Sequence, residues 1–388
     1  MNLLDPQSPS VWRDEFPIRS DTVYLNHGSF GPSARGVRQR QADWKRQLDE
    51  QPMDFFVRRL EPAWFDARRA LGQFVGARPE NLAFVENATS GMNVVANSLP
   101  LAPGDEILLN DQEYGAVQRI WRRVAEQTGA RVVQVELPWP IEAPEQIVDS
   151  LLRAMGPATR LLVISHVTSP TAVTMPIAEV TRRAAERGIA VCIDGPHAPA
   201  YLPLEIDALG CDYYVASCHK WLSAPLGSGF LYVAPRRQST IRVPYLSWGR
   251  LLPGRPETWS DELLWSGTRD PSAYLSIPAA IEFLAGVGFD LFRARTHALA
   301  RHARATLAEM FGTVPGTPDS ELWYGSMAHV PLPHVDASEL QGRLWREYGI
   351  EVPIVEWRRQ GFIRVSCHLY NDISDLEKLF RALHALLR

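Results

Sequence analysis

The chain has 388 residues, of which 46% are hydrophobic and 22% charged, with a formal net charge of −4. That length is more than one compact core serves, and the composition is that of a soluble globular protein. The charge gives no ground for a nucleic acid or an anionic membrane as partner, and no apolar run is long enough to span a bilayer.

The opening "MNLLDPQSPSVWRDEF" has neither the basic start nor the apolar centre of a signal peptide. Residues 1–60 hold a loop, "YLNHGSFGPS", and a polar helix, "RGVRQRQADWKRQLDEQ", and read as an N-terminal arm. From about residue 80 short apolar runs alternate with amphipathic stretches. The runs are "NLAFVE", "EILLN", "RVVQVEL", "RLLVISHV", "AVCIDG", "DYYVAS" and "GFLYVA". Helical patterns such as "AVQRIWRRVAEQ", "EQIVDSLLRAM" and "IAEVTRRAAER" lie between most of them. This alternation predicts an α/β architecture, a mostly parallel sheet covered by helices on both faces, with ligands bound beyond the carboxyl ends of the strands. Residues 245–274 are rich in Pro, Gly and Trp and read as a long functional loop, with 245–265 setting the substrate side chain. The expected organisation is a large domain over 61–275 and a small α+β domain over 276–388. The four cysteines, Cys192, Cys211, Cys218 and Cys367, lack zinc-ligand spacing and read as reduced, mostly buried thiols of a cytoplasmic protein.

The chain has only three lysines, Lys45, Lys220 and Lys378. Lys45 falls on the polar N-terminal helix and Lys378 between apolar positions of a C-terminal helix, so both face water. Lys220, in "DYYVASCHKWL", falls just past a strand end at the ligand edge. Arginine stays protonated, whereas lysine can lose its proton and attack a carbonyl. One reading of Lys220 is a covalent anchor for an aldehyde cofactor; the other is a buried structural lysine, which needs a carboxylate that is not adjacent.

Three further segments bear on that choice. Asp194 ends the strand "AVCID", with His197 three residues on. An aspartate there serves a metal, a ribose or a protonated ring nitrogen, or it caps the next turn. In "ENATSGMNVVANSL", Thr89, Ser90 and Gly91 open a helix whose N-terminus suits a phosphate, with Ser217 and His219 as additional donors. Arg364, in "FIRVSCHLYN", sits inside an apolar strand, where its guanidinium needs a carboxylate from the protein or from a substrate.

Taken together, "SCHKWL", "DGPHAP", "HVTSPTA" and "IRVSCHLYN" resemble the class V aminotransferase group of pyridoxal-phosphate enzymes, fold type I. "YLNHGSFGPS", "EQPMDFF", "DQEYGA" and "SGTRDPSAY" are similar to the branch around isopenicillin N epimerase. The likeness runs in order over almost the whole chain. It implies the fold of that group, with a mostly parallel seven-stranded sheet and a smaller α+β domain. It implies pyridoxal 5'-phosphate on Lys220, with Asp194 on the pyridinium nitrogen and Tyr114 stacked on the ring. His197 and Ser169 would lie near the phenolic oxygen, and Ala88, Thr89, Ser90, Ser217 and His219 around the phosphate. Thr268 would reach the phosphate of a second subunit, which implies a homodimer with composite sites. Arg364 would grip the substrate carboxylate, with Asn26 and His27 on the opposite wall. No metal is implied.

Proton removal at Cα is common to epimerisation, β-elimination and transamination. Residues 312–363 contain no cysteine, which argues against a desulfurase that takes sulfur on a protein thiol. The resemblance points first to epimerisation of an amino-acid or peptide substrate, then to a C–S β-lyase acting on a cysteine conjugate or sulfoxide, then to an aminotransferase.

Overall fold

The computed structural model describes residues 9–250, 256–333 and 336–387. All seven apolar runs are strands of a single sheet, and their order in space is Leu82–Val85, Gly229–Val233, Tyr213–Ser217, Ala190–Asp194, Thr159–Ser165, Glu106–Asn110 and Arg131–Val135. Neighbours pair in parallel except around Gly229–Val233, which is antiparallel to both of its partners. The connection leading into that strand explains the exception. Residues 218–228 contain no helix, and a parallel crossover needs about a dozen residues or more. The chain therefore turns straight back, and Lys220 rides on the turn.

Strands inside the sheet are buried along their length apart from Arg160, whereas Arg131–Val135, at one edge, has only exposed and half-buried positions. Because successive side chains point to opposite faces, the sheet feeds two cores. Leu162, Ile164, Val191 and Ile193 pack with the helices of one face, and Leu161, Val163 and Cys192 with those of the other. A third core serves an antiparallel sheet of Ile354–Trp357, Gln360–Ser366 and Met327–Pro331. The N-terminal arm joins this region, with Val23–Tyr24 pairing in parallel with Ile350–Glu351. Among the described residues no single helix is long and apolar enough to cross a membrane.

Gly229 sits where the sheet meets the loop that begins the helix Ala88–Ser98. A Cβ there would lie 2.7 Å from the Ala216 carbonyl oxygen and 2.8 Å from the Asn87 Cα, both backbone atoms that cannot swing aside. Gly229→Ala is expected to destabilise the protein by about 1–3 kcal/mol, seen as a lower urea midpoint; an unchanged midpoint would show that the loop yields freely.

Candidate active site

The carboxyl ends of the parallel strands open into a cavity of about 770 Å³, lined in part by Ser165, Asp194, His197, Ser217, Lys220 and Arg364. All but Arg364 come from a strand end of the large sheet or the turn after it, which is where the sheet topology places ligands, and Arg364 comes from within Gln360–Ser366 of the small sheet. Lys45 and Lys378 are exposed, and Lys45 lies 3.4 Å from Asp270. Lys220 is the lysine that turns inward. Burial, and then the Arg364 guanidinium, push its amine down to about 7, against the pull of Asp194. Its Nζ lies 3.2 Å from His197 Nε2. No protein carboxylate forms an ion pair with it among the described residues, the partner that a buried structural lysine needs.

Asp194 is 3% exposed, and burial pushes its carboxyl up to about 7 while Lys220 pulls it down. Its side chain does not cap the following turn; it faces the cavity. Behind it lies Glu113, which the sequence reading passed over beside Tyr114. Glu113 accepts from the Ser165 N–H at 2.9 Å and Oγ at 2.6 Å, and burial pushes it up to about 8. An acidic residue next to the aromatic one at a strand's carboxyl edge was the available signal.

The helix Ala88–Ser98 aims its N-terminus into the same cavity. Its cap is Asn87, whose Oδ1 accepts from the Ser90 N–H at 2.9 Å. Ala88 N–H donates to Ser217 Oγ at 3.0 Å, which leaves the Ser217 hydroxyl proton free to point outward. Thr89 lies in the first turn, where helix geometry provides no partner for the N–H. His219 Nδ1 is buried without a hydrogen-bond partner. Tyr114 occupies the N-cap position of the helix Gly115–Thr128 and leaves a half-exposed ring on the cavity wall.

Arg364 is 4% exposed and has no ion pair among the described residues. Its Nη1 donates to the Ser169 carbonyl and its Nη2 to Ser29 Oγ at 2.9 Å, while Nε has no partner. Burial pushes it down to about 10. A buried guanidinium held only by neutral acceptors lacks the carboxylate its fork is shaped for.

Two expectations need correction. His27 does not line the cavity. It is fully buried, with Nδ1 2.9 Å from the Tyr370 hydroxyl and Nε2 2.9 Å from the Lys220 carbonyl, and its ring stacks on His368 at 3.8 Å. Burial pushes it down to about 3, so it is a neutral clamp on the Lys220 backbone. Gly31 is fixed by that ring, since a Cβ there would lie 2.3 Å from His27 Nε2. Asn26 also misses the cavity. Its Nδ2 donates to Glu351 at 2.9 Å, and it lines an adjoining groove with Tyr24, Phe30, Leu226 and Trp345. The inner wall is formed instead by Gly28, Ser29 and Phe30. Thr268 is exposed and outside this chain's cavity. None of the described residues of 245–265 lines it, and residues 251–255 lie outside the described residues.

The sequence profile of the Aminotransferase class-V family matches residues 56–379. The chain belongs to that family. Among curated members, isopenicillin N epimerase of Amycolatopsis lactamdurans is 39% identical over 96% of this chain and 97% of its own. The enzyme of that name from Streptomyces clavuligerus is 38% identical over 94% of each chain. A putative L-cysteine desulfhydrase of Oryza sativa is 30% identical over 94% of this chain and 83% of its own. Of solved structures, the cystine C-S lyase C-DES in complex with its reaction product cysteine persulfide superposes with a TM-score of 0.81, at 21% identity over 95% of this chain and 98% of that one. These likenesses give the PLP-dependent fold type I, with its seven-stranded mixed sheet.

The class V family uses pyridoxal phosphate, and the residues present fit it. An inward amine, an unpaired facing carboxylate, a helix N-terminus with the Thr89 N–H spare and an orphaned His219 nitrogen match an aldehyde, a ring nitrogen and a phosphate.

Reductive methylation of the cofactor-free chain, mapped by peptide, should label Lys220 with an inflection near pH 7. The neutral amine reacts, so labelling rises as pH passes the lowered value of about 7. An inflection at the ordinary lysine value of about 10 would show a solvated amine. Arg364→Lys is expected to raise KM at least about tenfold with a smaller change in kcat, because an ammonium cannot reproduce the fork. Unchanged kinetics would make Arg364 structural.

Proposed function

We propose that the protein is a pyridoxal-phosphate-dependent enzyme that acts at the α-carbon of an amino-acid or peptide substrate, epimerising it as its isopenicillin N epimerase relatives do by name. The observation that carries this reading is Arg364, a buried guanidinium without a carboxylate, in one cavity with the depressed Lys220 amine and Asp194. When bound, the cofactor supplies an electron sink for the Cα–H bond.

The residues divide the work. Arg364 takes the substrate carboxylate and fixes the amino acid's orientation. Lys220, with its amine lowered to about 7, gains and loses a proton at neutral pH and serves Cα from its side. Asp194 would hold a proton on the ring nitrogen. Tyr114 would cover the opposite face and orient a water there. Ala88, Thr89, Ser90, Ser217 and His219 would hold the phosphate, with His197 and Ser169 serving the phenolic oxygen. Thr268, exposed in this chain, reaches the site of a second copy, which makes the working unit a homodimer. Four buried free cysteines suit a reducing compartment, the cytoplasm.

Epimerisation is placed before β-elimination because the cavity opens onto an apolar groove. Phe30 and Leu226 line both spaces, and Tyr24, Pro32 and Trp345 continue the groove. That gives room for a substrate longer than cysteine. The second reading, a C–S β-lyase, is favoured by the desulfhydrase relative. A sulfur-accepting protein thiol is not at hand, since all four cysteines are buried and none lines the cavity.

The test is incubation in heavy water. Epimerisation gives Cα deuterium and both epimers of a peptide such as isopenicillin N, with no keto acid, ammonia or thiol. Stoichiometric pyruvate from a cysteine conjugate, without inversion of any peptide, would move the function to the lyase.

A further inference from the structure

The Lys220 amine faces His197, and what that histidine offers depends on which ring nitrogen carries its proton. Its Nδ1 lies 3.2 Å from the indole Nε1 of Trp221, and its Nε2 lies 3.2 Å from Lys220 Nζ. An indole N–H donates and never accepts. His197 Nδ1 must therefore present its lone pair to Trp221. The ring is neutral, because burial, Lys220 and Arg364 all drive its charged form out, well below the usual range. A neutral ring that accepts at Nδ1 carries its proton on Nε2.

We propose that Trp221 is a positioning residue: its indole N–H locks His197 as the Nε2–H tautomer, so that the ring aims a donor at Nζ of Lys220. The lysine nitrogen then receives a hydrogen bond on its lone pair, which favours its neutral form.

The surroundings hold the indole in place. Trp221 is fully buried and packs against the rings of Tyr201 at 5.1 Å and His27 at 5.4 Å. Its own carbonyl lies 3.4 Å from His368 Nε2. Ser223, at φ 57°, adopts a left-handed conformation rare for serine, and its Oγ stands 3.3 Å from Nε2 of both His27 and His368. The charged groups around His197 are Lys220 and Arg364 across the cavity, with Asp194 three residues before it; Tyr201, His27 and His368 lie behind the indole and are held neutral by burial. None of these supplies Nδ1 with another donor.

Trp221→Phe keeps the ring and removes the N–H. In the holoenzyme without substrate, the absorption of the bound cofactor reports protonation of the nitrogen it shares with Lys220. With Nδ1 released, His197 can turn a lone pair toward that nitrogen and favour its protonated form, so the midpoint of the spectral titration should rise by about one pH unit. A midpoint that is unchanged or lowered overturns the proposal. A second measurement needs no variant. In wild-type holoenzyme labelled with nitrogen-15 histidine, the His197 signal, assigned by its loss in His197→Gln, should show a protonated-type shift at Nε2 and an unprotonated-type shift at Nδ1. The reverse pattern, or a mixture, overturns the proposal even if Trp221→Phe does not fold.

Discussion

Two basic side chains, Lys220 and Arg364, share one buried cavity, and neither forms an ion pair with a protein carboxylate among the described residues. Arg364 pushes the Lys220 amine down, burial pushes Asp194 and Glu113 toward their neutral forms, and the other lining carboxylate, Glu86, pairs with Arg269. Removing a charge from water without a partner costs several kcal/mol. A chain that tolerates this has its counter-charges arrive from outside. The missing charges are those that a phosphate and a carboxylate bring, and the positions separate them. The N-terminus of Ala88–Ser98 faces one end of the cavity, and Arg364, held only by Ser29 and Ser169, faces another.

The fold makes this arrangement possible by spending its rigidity on the turn after Tyr213–Ser217. That turn reverses the chain into the antiparallel strand Gly229–Val233, so its two ends are fixed by the sheet. The N-terminal arm and the C-terminal region then pin its middle. His27 takes the Lys220 carbonyl, and His368 lies against the Trp221 carbonyl. Parts far apart in sequence thus set the direction of one side chain. The buried histidines are neutral donors in this role, and burial, the cause of their lowered pKa values, keeps them so.

The seven strands and the ligand edge were legible because buried strands write continuous apolar runs, and scarce lysine drew attention to Lys220 and through it to Asp194 and Arg364. The antiparallel strand was missed: its apolar run looks like the others, and only the length of the connection before it betrays the direction. The family resemblance implies His27 and Asn26 on the cavity wall, and the structure puts neither there. Their true partners, Tyr370 and Glu351, lie more than three hundred residues away, and no local pattern reports such contacts. Trp221 was unread for the same reason. Its contact with His197 exists because Ala190–Asp194 and Tyr213–Ser217 are neighbours in the sheet, a fact of strand order rather than of sequence.

Once a Cα proton has left, the fate of the substrate depends on its own side chain. A substrate with sulfur on the β-carbon can expel it, whereas one without a leaving group there keeps its side chain and is epimerised or transaminated. The catalytic residues are the same in both cases. Discrimination between epimerisation and elimination therefore falls to whatever admits or refuses the side chain, and on the proposed reading that is the apolar lining of Phe30 and Leu226, which the cavity shares with the adjoining groove. Both residues are largely exposed, at 65% and 64%. Apolar surface held in water gains when an apolar group covers it, so a long side chain is favoured over cysteine at the point where the reaction is decided. On the proposed reading, specificity in this site is thus a matter of burial at the rim, and the chemistry inside follows from what has been let in.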